Sequence, residues 1–122
     1  MRNEPAMVDF LKTRLPGELA VVPPVVAEIE YGIQRLEPGS RKRALLSERQ
    51  AQLLSAIRVL DWIPQASVSF GGIKAALERA GQLIDDFDIA VAAIALAHEA
   101  QVITANLPHF ARVKGLRSRH WI

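Results

Sequence analysis

The sequence predicts an α/β fold, a mostly parallel sheet covered by helices. Short apolar runs such as Leu19-Ala20-Val21-Val22 and Gln101-Val102-Ile103-Thr104 alternate with longer runs of helical character along the whole chain. That alternation is the pattern of strands joined by crossover helices. Proline and glycine pairs, Pro16-Gly17, Pro23-Pro24 and Pro38-Gly39, fall between the runs and punctuate them. No repeat, low-complexity tract or linker divides the 122 residues, so residues 1–122 read as a single domain.

Taken in order, Asn3 to Leu15 reads as a helix, with Asn3 as N-cap, Pro5 early and Pro16-Gly17 as its stop. Leu19 to Val22 is a short buried strand closed by Pro23-Pro24. Val25 to Leu36 is a helix that stops at Pro38-Gly39. Ser40 to Ile57 is a longer amphipathic helix with Leu45, Leu46, Leu53, Leu54 and Ile57 near one stripe. Val59 to Ile63 is a candidate strand. Ser67 to Ala80 is helical, with Phe70, Ile73, Ala76 and Leu77 facing inward and Gly81 as its stop. Asp86 to Glu99 is the next helix, Gln101 to Thr104 a strand, and Arg117 to Trp121 a short edge strand.

Bulk properties narrow the function. Half of the residues are hydrophobic and 23% are charged, as in a compact globule that buries roughly two-thirds of its unfolded surface. No apolar run approaches the ~20 residues of a membrane span, so no membrane partner is expected. No basic-then-apolar leader opens the chain. With no cysteine there are no disulfides and no Cys-ligated zinc, which agrees with a reducing cytoplasm. The net charge of +2 and pI near 9.4 permit a polyanionic partner without demanding one. Basic residues gather at Arg41-Lys42-Arg43, Arg112 to Lys114 and Arg117 to Arg119, and acids at Asp85 to Asp88. An acidic spot in a basic surface suits a metal site that must also hold a phosphodiester.

The chemistry-bearing residues cluster late in the chain. Asp85, Asp86 and Asp88 crowd the front of a nearly all-apolar helix. With Asp85 as N-cap, Asp85 and Asp88 lie on one face. The two readings are a helix start capped by acids, worth under ~1 kcal/mol per charge, or the floor of a metal site. Glu28 lies in the apolar segment VVAEIEYGI, where a part-buried carboxylate would need a cation or donor. The rival is a solvated surface glutamate. Thr104 and Asn106 end a strand, the place where α/β sites collect. His109 reads as a loop-anchoring hydrogen bonder, and His98 and His120 have no partner at metal-ligand spacing. A phosphate-cradling Gly-rich loop, a nucleophile elbow and an HExxH motif are all absent, which removes most common enzyme classes.

In combination, AEIEYGI at residues 27–33, LIDDFDIAVAAIALAH at 83–98, ITANLPHFARVKGL at 103–116 and the closing Arg119-His120-Trp121 resemble a PIN domain. The match is to the VapC-type toxin branch of bacterial toxin–antitoxin systems, and it runs in order through nearly the whole chain. The resemblance implies a three-layer α/β/α sandwich and an endoribonuclease whose carboxylates hold Mg²⁺ or Mn²⁺. It also implies an RNA substrate, a cognate antitoxin and a homodimer in the cytoplasm. By position, Glu28 and Asp88 match catalytic acids and metal ligands. Asp86 matches a further acid that holds the metal with them, and Thr104 and Asn106 match supporting residues. Mg²⁺ takes oxygen ligands of this kind. The alternative from another class is an inactive PIN-like module that contacts an antitoxin or RNA without cleavage.

The resemblance departs at the start. The family opens on a hydrophobic strand ending in an aspartate, a principal ligand, whereas this sequence opens MRNEPAMVDFL, which resembles the helix after that strand. Neither Glu4 nor Asp9 matches the aspartate. The first central strand is therefore expected to be missing between Leu19–Val22 and Gln101–Thr104, with weak or absent catalysis. A start upstream of Met1, a truncated gene, or a gap filled by dimerisation or strand exchange compete as explanations, and the first is favoured.

Overall fold

The computed structural model describes residues 19–120. The helix expected over residues 3–15 and the last residue of the strand expected over 117–121 lie outside them. The described elements run β1 (Ala20–Val21), α1 (Pro23–Gln34), α2 (Arg41–Ala56), β2 (Arg58–Val59), α3 (Pro64–Arg79), α4 (Asp86–Ala97), β3 (Val102–Ile103), α5 (Leu107–Phe110) and β4 (Ser118–Arg119). No described helix is long and apolar enough to cross a membrane.

The α/β class holds, and every described strand pairing is parallel. The strands are shorter than expected, two residues each, and form two separate ladders. Ala20 and Val21 face Arg58 and Val59, and Val102 and Ile103 face Ser118 and Arg119. Each ladder is prolonged by one amide: Leu60 N–H donates to Val21 O at 2.8 Å and Thr104 N–H to Arg119 O at 3.0 Å. Among the described residues no strand joins the two ladders. The strand expected over 59–63 is thus displaced toward its start, because Pro64 already opens α3.

Prolines explain the other shifted boundary. Pro23-Pro24 closes β1 but also supplies the first residues of α1, where a missing N–H costs nothing and a fixed φ suits the helix. The helices at 41–56 and 86–97 begin as their sequence signals demand. Ser40 Oγ accepts from Arg43 N–H at 3.2 Å, and Asp85 Oδ1 accepts from Asp88 N–H at 2.8 Å.

Helix α4 is the core. Ile89, Ala92, Ala93 and Ile94 are fully buried. Ile89, Ala92 and Ala95 pack with Leu77, Ile84, Val102, Phe110 and Val113, while Ile94 packs with Val22, Leu60 and Ala66. A helix apolar on nearly all sides belongs inside, and its alanines admit close neighbours. Chief among these is α3, with Phe70, Ile73 and Leu77 turned inward and Ala76 exposed, contrary to its expected inward position.

Gly81 turns the chain from α3 to α4. At φ 66° it carries the left-handed residue of a Schellman motif, with Gln82 N–H donating to Leu77 O at 2.9 Å and Gly81 N–H to Glu78 O at 3.1 Å. The same turn ends α4, but there the left-handed residue is Glu99, at φ 56°. Helix α2 is less embedded than its leucine stripe predicts. Gln50 is its buried residue, while Leu45 and Leu53 are 47% and 37% exposed. Between α1 and α2 lies an open groove of about 560 Å³, lined by Ile29, Ile33, Leu46, Gln50 and Leu53 among others.

Candidate metal centre

The Gly81 turn and the buried Ile84 deliver Asp85 to the start of α4. As N-cap it spends one carboxylate oxygen on Asp88 N–H. One turn on, Asp88 points the same way and is only 9% exposed. From the other side, β3 ends in Thr104, 8% exposed, whose Oγ1 accepts from Asn106 N–H at 2.9 Å. That bond turns the chain into α5, and the buried ring of Phe110 pins α5 to the core. His109, on α5, then meets Asp88, its Nδ1 lying 2.8 Å from Asp88 Oδ2. Asn106 Nδ2 lies 2.7 Å from the same ring nitrogen.

Asp85, Asp88 and His109 each aim one ligand atom into a common space, all within 4.8 Å of one another. Asp85, Asp88 and His109 would hold a cation through two carboxylate oxygens and an imidazole nitrogen. A nearly buried carboxylate beside a second one calls for such a positive charge or a donor. The donor set, carboxylate oxygens and an imidazole, therefore fits a divalent ion.

Of the residues singled out in the sequence, Asp88 lies in this set, and Thr104 and Asn106 connect to it through His109. Asp86 is exposed, and its carboxylate is held by Lys74 Nζ at 3.0 Å. Glu28 is exposed on α1 and is not in the converging set. Sequence reasoning left Asp85 between helix cap and metal-site floor, on one face with Asp88, and gave His109 an anchoring role without linking it to Asp88. The i, i+3 spacing of the two aspartates was the available signal for Asp85. Two cations contact residues 82–86. Besides Lys74, Arg112 donates to the carbonyls of Gln82 and Leu83 at 3.3 and 3.4 Å, just ahead of Asp85.

A parallel α/β scaffold that gathers acids and an imidazole at a helix start beside a strand's carboxyl end defines a class of compact α/β proteins with an acidic, metal-compatible centre. The PIN domain family matches residues 1–116, and the chain belongs to that family, in its VapC-type branch. It is 35% identical over 106 residues to ribonuclease VapC2 of Haemophilus influenzae, covering 87% of this chain and 77% of that one. It is 29% identical over 121 residues to the tRNA(fMet)-specific endonuclease VapC of Shigella flexneri, covering 99% and 89%. Among solved structures it resembles VapBC2 from Rickettsia felis bound to a DNA fragment from their promoter, with a TM-score of 0.75, 26% identity, and 84% and 74% coverage. The family and nuclease class expected from the sequence are those the comparisons return.

Proposed function

We propose that this chain is a metal-dependent endoribonuclease, the toxin of a toxin–antitoxin pair acting in the cytoplasm, with Mg²⁺ or Mn²⁺ as cofactor. The observation that carries the reading is the convergence of Asp85, Asp88 and His109 in a chain of the VapC-type branch. A divalent ion bound there supplies Lewis acidity toward a phosphodiester and lowers the pKa of an attacking water. The chain's own residues do the rest. Asp88, nearly buried and steadied by His109, is the central ligand. Asp85 holds the helix start in register while offering its second oxygen. Family position adds Glu28 and Asp86 around the same ion, and Asp86 would leave Lys74 to join. Asn106 and Thr104 support His109, and Lys74 and Arg112 are the proposed phosphate contacts, as the cations nearest in contact to residues 82–86.

The partner reading rests on two supports. A solved neighbour is a VapBC assembly, and the α1–α2 face exposes Ile29, Tyr31, Leu45 and Leu53. An antitoxin segment is the proposed occupant of that face, and a homodimer the proposed state of the free chain. The test is cleavage of RNA by the full chain with Mg²⁺ or Mn²⁺, with and without chelator. Transfer RNA comes first, since the Shigella flexneri relative acts on tRNA(fMet). Metal-dependent cleavage lost in Asp88→Asn supports the proposal. RNA or partner binding with no cleavage at all would make the chain a binding module instead.

A further inference from the structure

Phe87 is the exception on α4. Every apolar side chain from Ile89 to Ala97 is buried or half-buried, yet Phe87, in the first turn between Asp86 and Asp88, is 37% exposed. A second open ring lies just ahead of α3. Trp62 is 43% exposed although two contacts hold it: its Nε1–H donates to Ser67 Oγ at 2.7 Å, and its ring is tilted at 52° to Phe70 with centroids 6.1 Å apart. With its one polar atom engaged, what the indole shows to solvent is apolar π surface. Lys74 connects the two rings. It follows Phe70 by one turn on the same face of α3, about 6 Å along the axis, and its Nζ stands 3.0 Å from Asp86, the neighbour of Phe87. The order is ring, cation, ring, and it runs up to Asp88.

We propose that Phe87 and Trp62 are stacking positions for the bases of an unpaired RNA strand, with a phosphate of that strand on Lys74 between them. The proposal rests on the nuclease reading and goes beyond it, since that reading placed phosphates and no bases. Open aromatic faces interleaved with a cation suit a single strand, whose bases take the rings while its backbone takes the charge. A duplex cannot use them, because its bases are already stacked on one another. The Lys74–Asp86 pair does not stand in the way. Its side chains are 42% and 65% exposed, so the pair is weak and a phosphate can take the lysine in place of Asp86. A protein partner laid on the same rings would have to cover the lysine's charge with apolar surface, at a desolvation cost. Phe87 and Trp62 are positioning groups here, setting where the strand enters the centre.

Binding of a labelled single strand of about ten nucleotides, and of a duplex of the same length, to the full chain in chelator tests this with no metal-dependent cleavage running. The single strand is expected to bind at least about tenfold tighter than the duplex and to quench tryptophan fluorescence. Phe87→Leu and Trp62→Leu should each weaken strand binding about five- to hundredfold, the range for one lost stack. The salt slope stays unchanged in both, because no charge is removed. Phe87→Tyr keeps a ring and should bind like the wild type. In Trp62→Leu the quenching is lost although Trp121 remains. Wild-type affinity in Phe87→Leu overturns the proposal, and so does equal binding of strand and duplex. Strand binding intact in Phe87→Leu with self-association lost makes this face a contact between copies instead. Cleavage with Mg²⁺ or Mn²⁺, measured separately, shows whether the nuclease reading survives such an outcome. Should Trp62→Leu fail to fold, Phe87→Leu against Phe87→Tyr decides.

Discussion

His109 Nδ1 stands 2.8 Å from Asp88 Oδ2, joining α5 to the first turn of α4 across 21 residues of chain. The contact sets the geometry of the candidate centre from two directions, one the start of the most buried helix and the other a four-residue helix pinned by Phe110. Neither side alone makes a site.

Asp88 is expected to be indispensable to metal binding. A ligand at a hundred times its Kd stabilises a protein by about 2.7 kcal/mol. Asp88→Asn keeps the shape of the side chain and loses the charge, so the metal-induced rise in melting temperature should vanish together with RNA cleavage. An undiminished rise in Asp88→Asn would remove this carboxylate from the ligand set.

Asp85 has two roles that two substitutions separate. Asp85→Ala deletes the cap on Asp88 N–H and should cost about 1 kcal/mol in urea unfolding. Asp85→Asn keeps a capping oxygen and should unfold like the wild type, yet bind metal more weakly. Equal metal affinity in Asp85→Asn and the wild type would assign Asp85 to capping alone.

Lys74 and Arg112 are expected to serve RNA more than the fold. The Lys74–Asp86 pair is exposed, and such pairs contribute under about 1 kcal/mol. Lys74→Ala should therefore leave the melting temperature nearly unchanged while weakening RNA binding. Its log–log salt dependence should flatten by about 0.7 if the lysine contacts one phosphate of a single strand. An unaltered slope in Lys74→Ala and Arg112→Ala would place the RNA elsewhere.

Gln50 is only 8% exposed, and its Nε2 has no hydrogen-bond partner among the described residues. An unsatisfied buried donor costs about 1–3 kcal/mol. Gln50→Leu should raise the stability of the isolated chain by about 1 kcal/mol, measured by chemical unfolding. If the amide waits for an acceptor from the partner, the same substitution weakens antitoxin binding.

Much of the fold was legible in the sequence, for local reasons. Ser40 and Asp85 announce their helices because an N-cap needs only three residues of context, and the apolar density of residues 89–97 marks α4 as buried without any periodicity. Pro23-Pro24 reads as the end of a strand and not also as the start of a helix, since proline serves both and tertiary packing of the next turn decides between them. The leucines of α2 fall on an expected inward stripe, yet Leu45 and Leu53 remain exposed, because a stripe is buried only where a neighbour covers it. Most opaque was His109. Its partner lies beyond a helix, a loop and a strand, so spacing carries no trace of it.

Ile94 and Ile89 tie α4 into both hydrophobic clusters. Ile94→Ala should cost about 2–5 kcal/mol, a large share of the stability of a domain this size, and lower the melting temperature accordingly. The helix that presents Asp88 is the same one whose loss would dissolve both clusters. Its backbone amides should then be among the last to exchange with deuterium, opening only when the whole fold opens. Asp88 itself lies in the first turn, where the Asp85 cap and the His109 contact hold it against fraying. On the proposed metal reading, control of the site would then come from outside it, from whatever covers the surface or removes the cation.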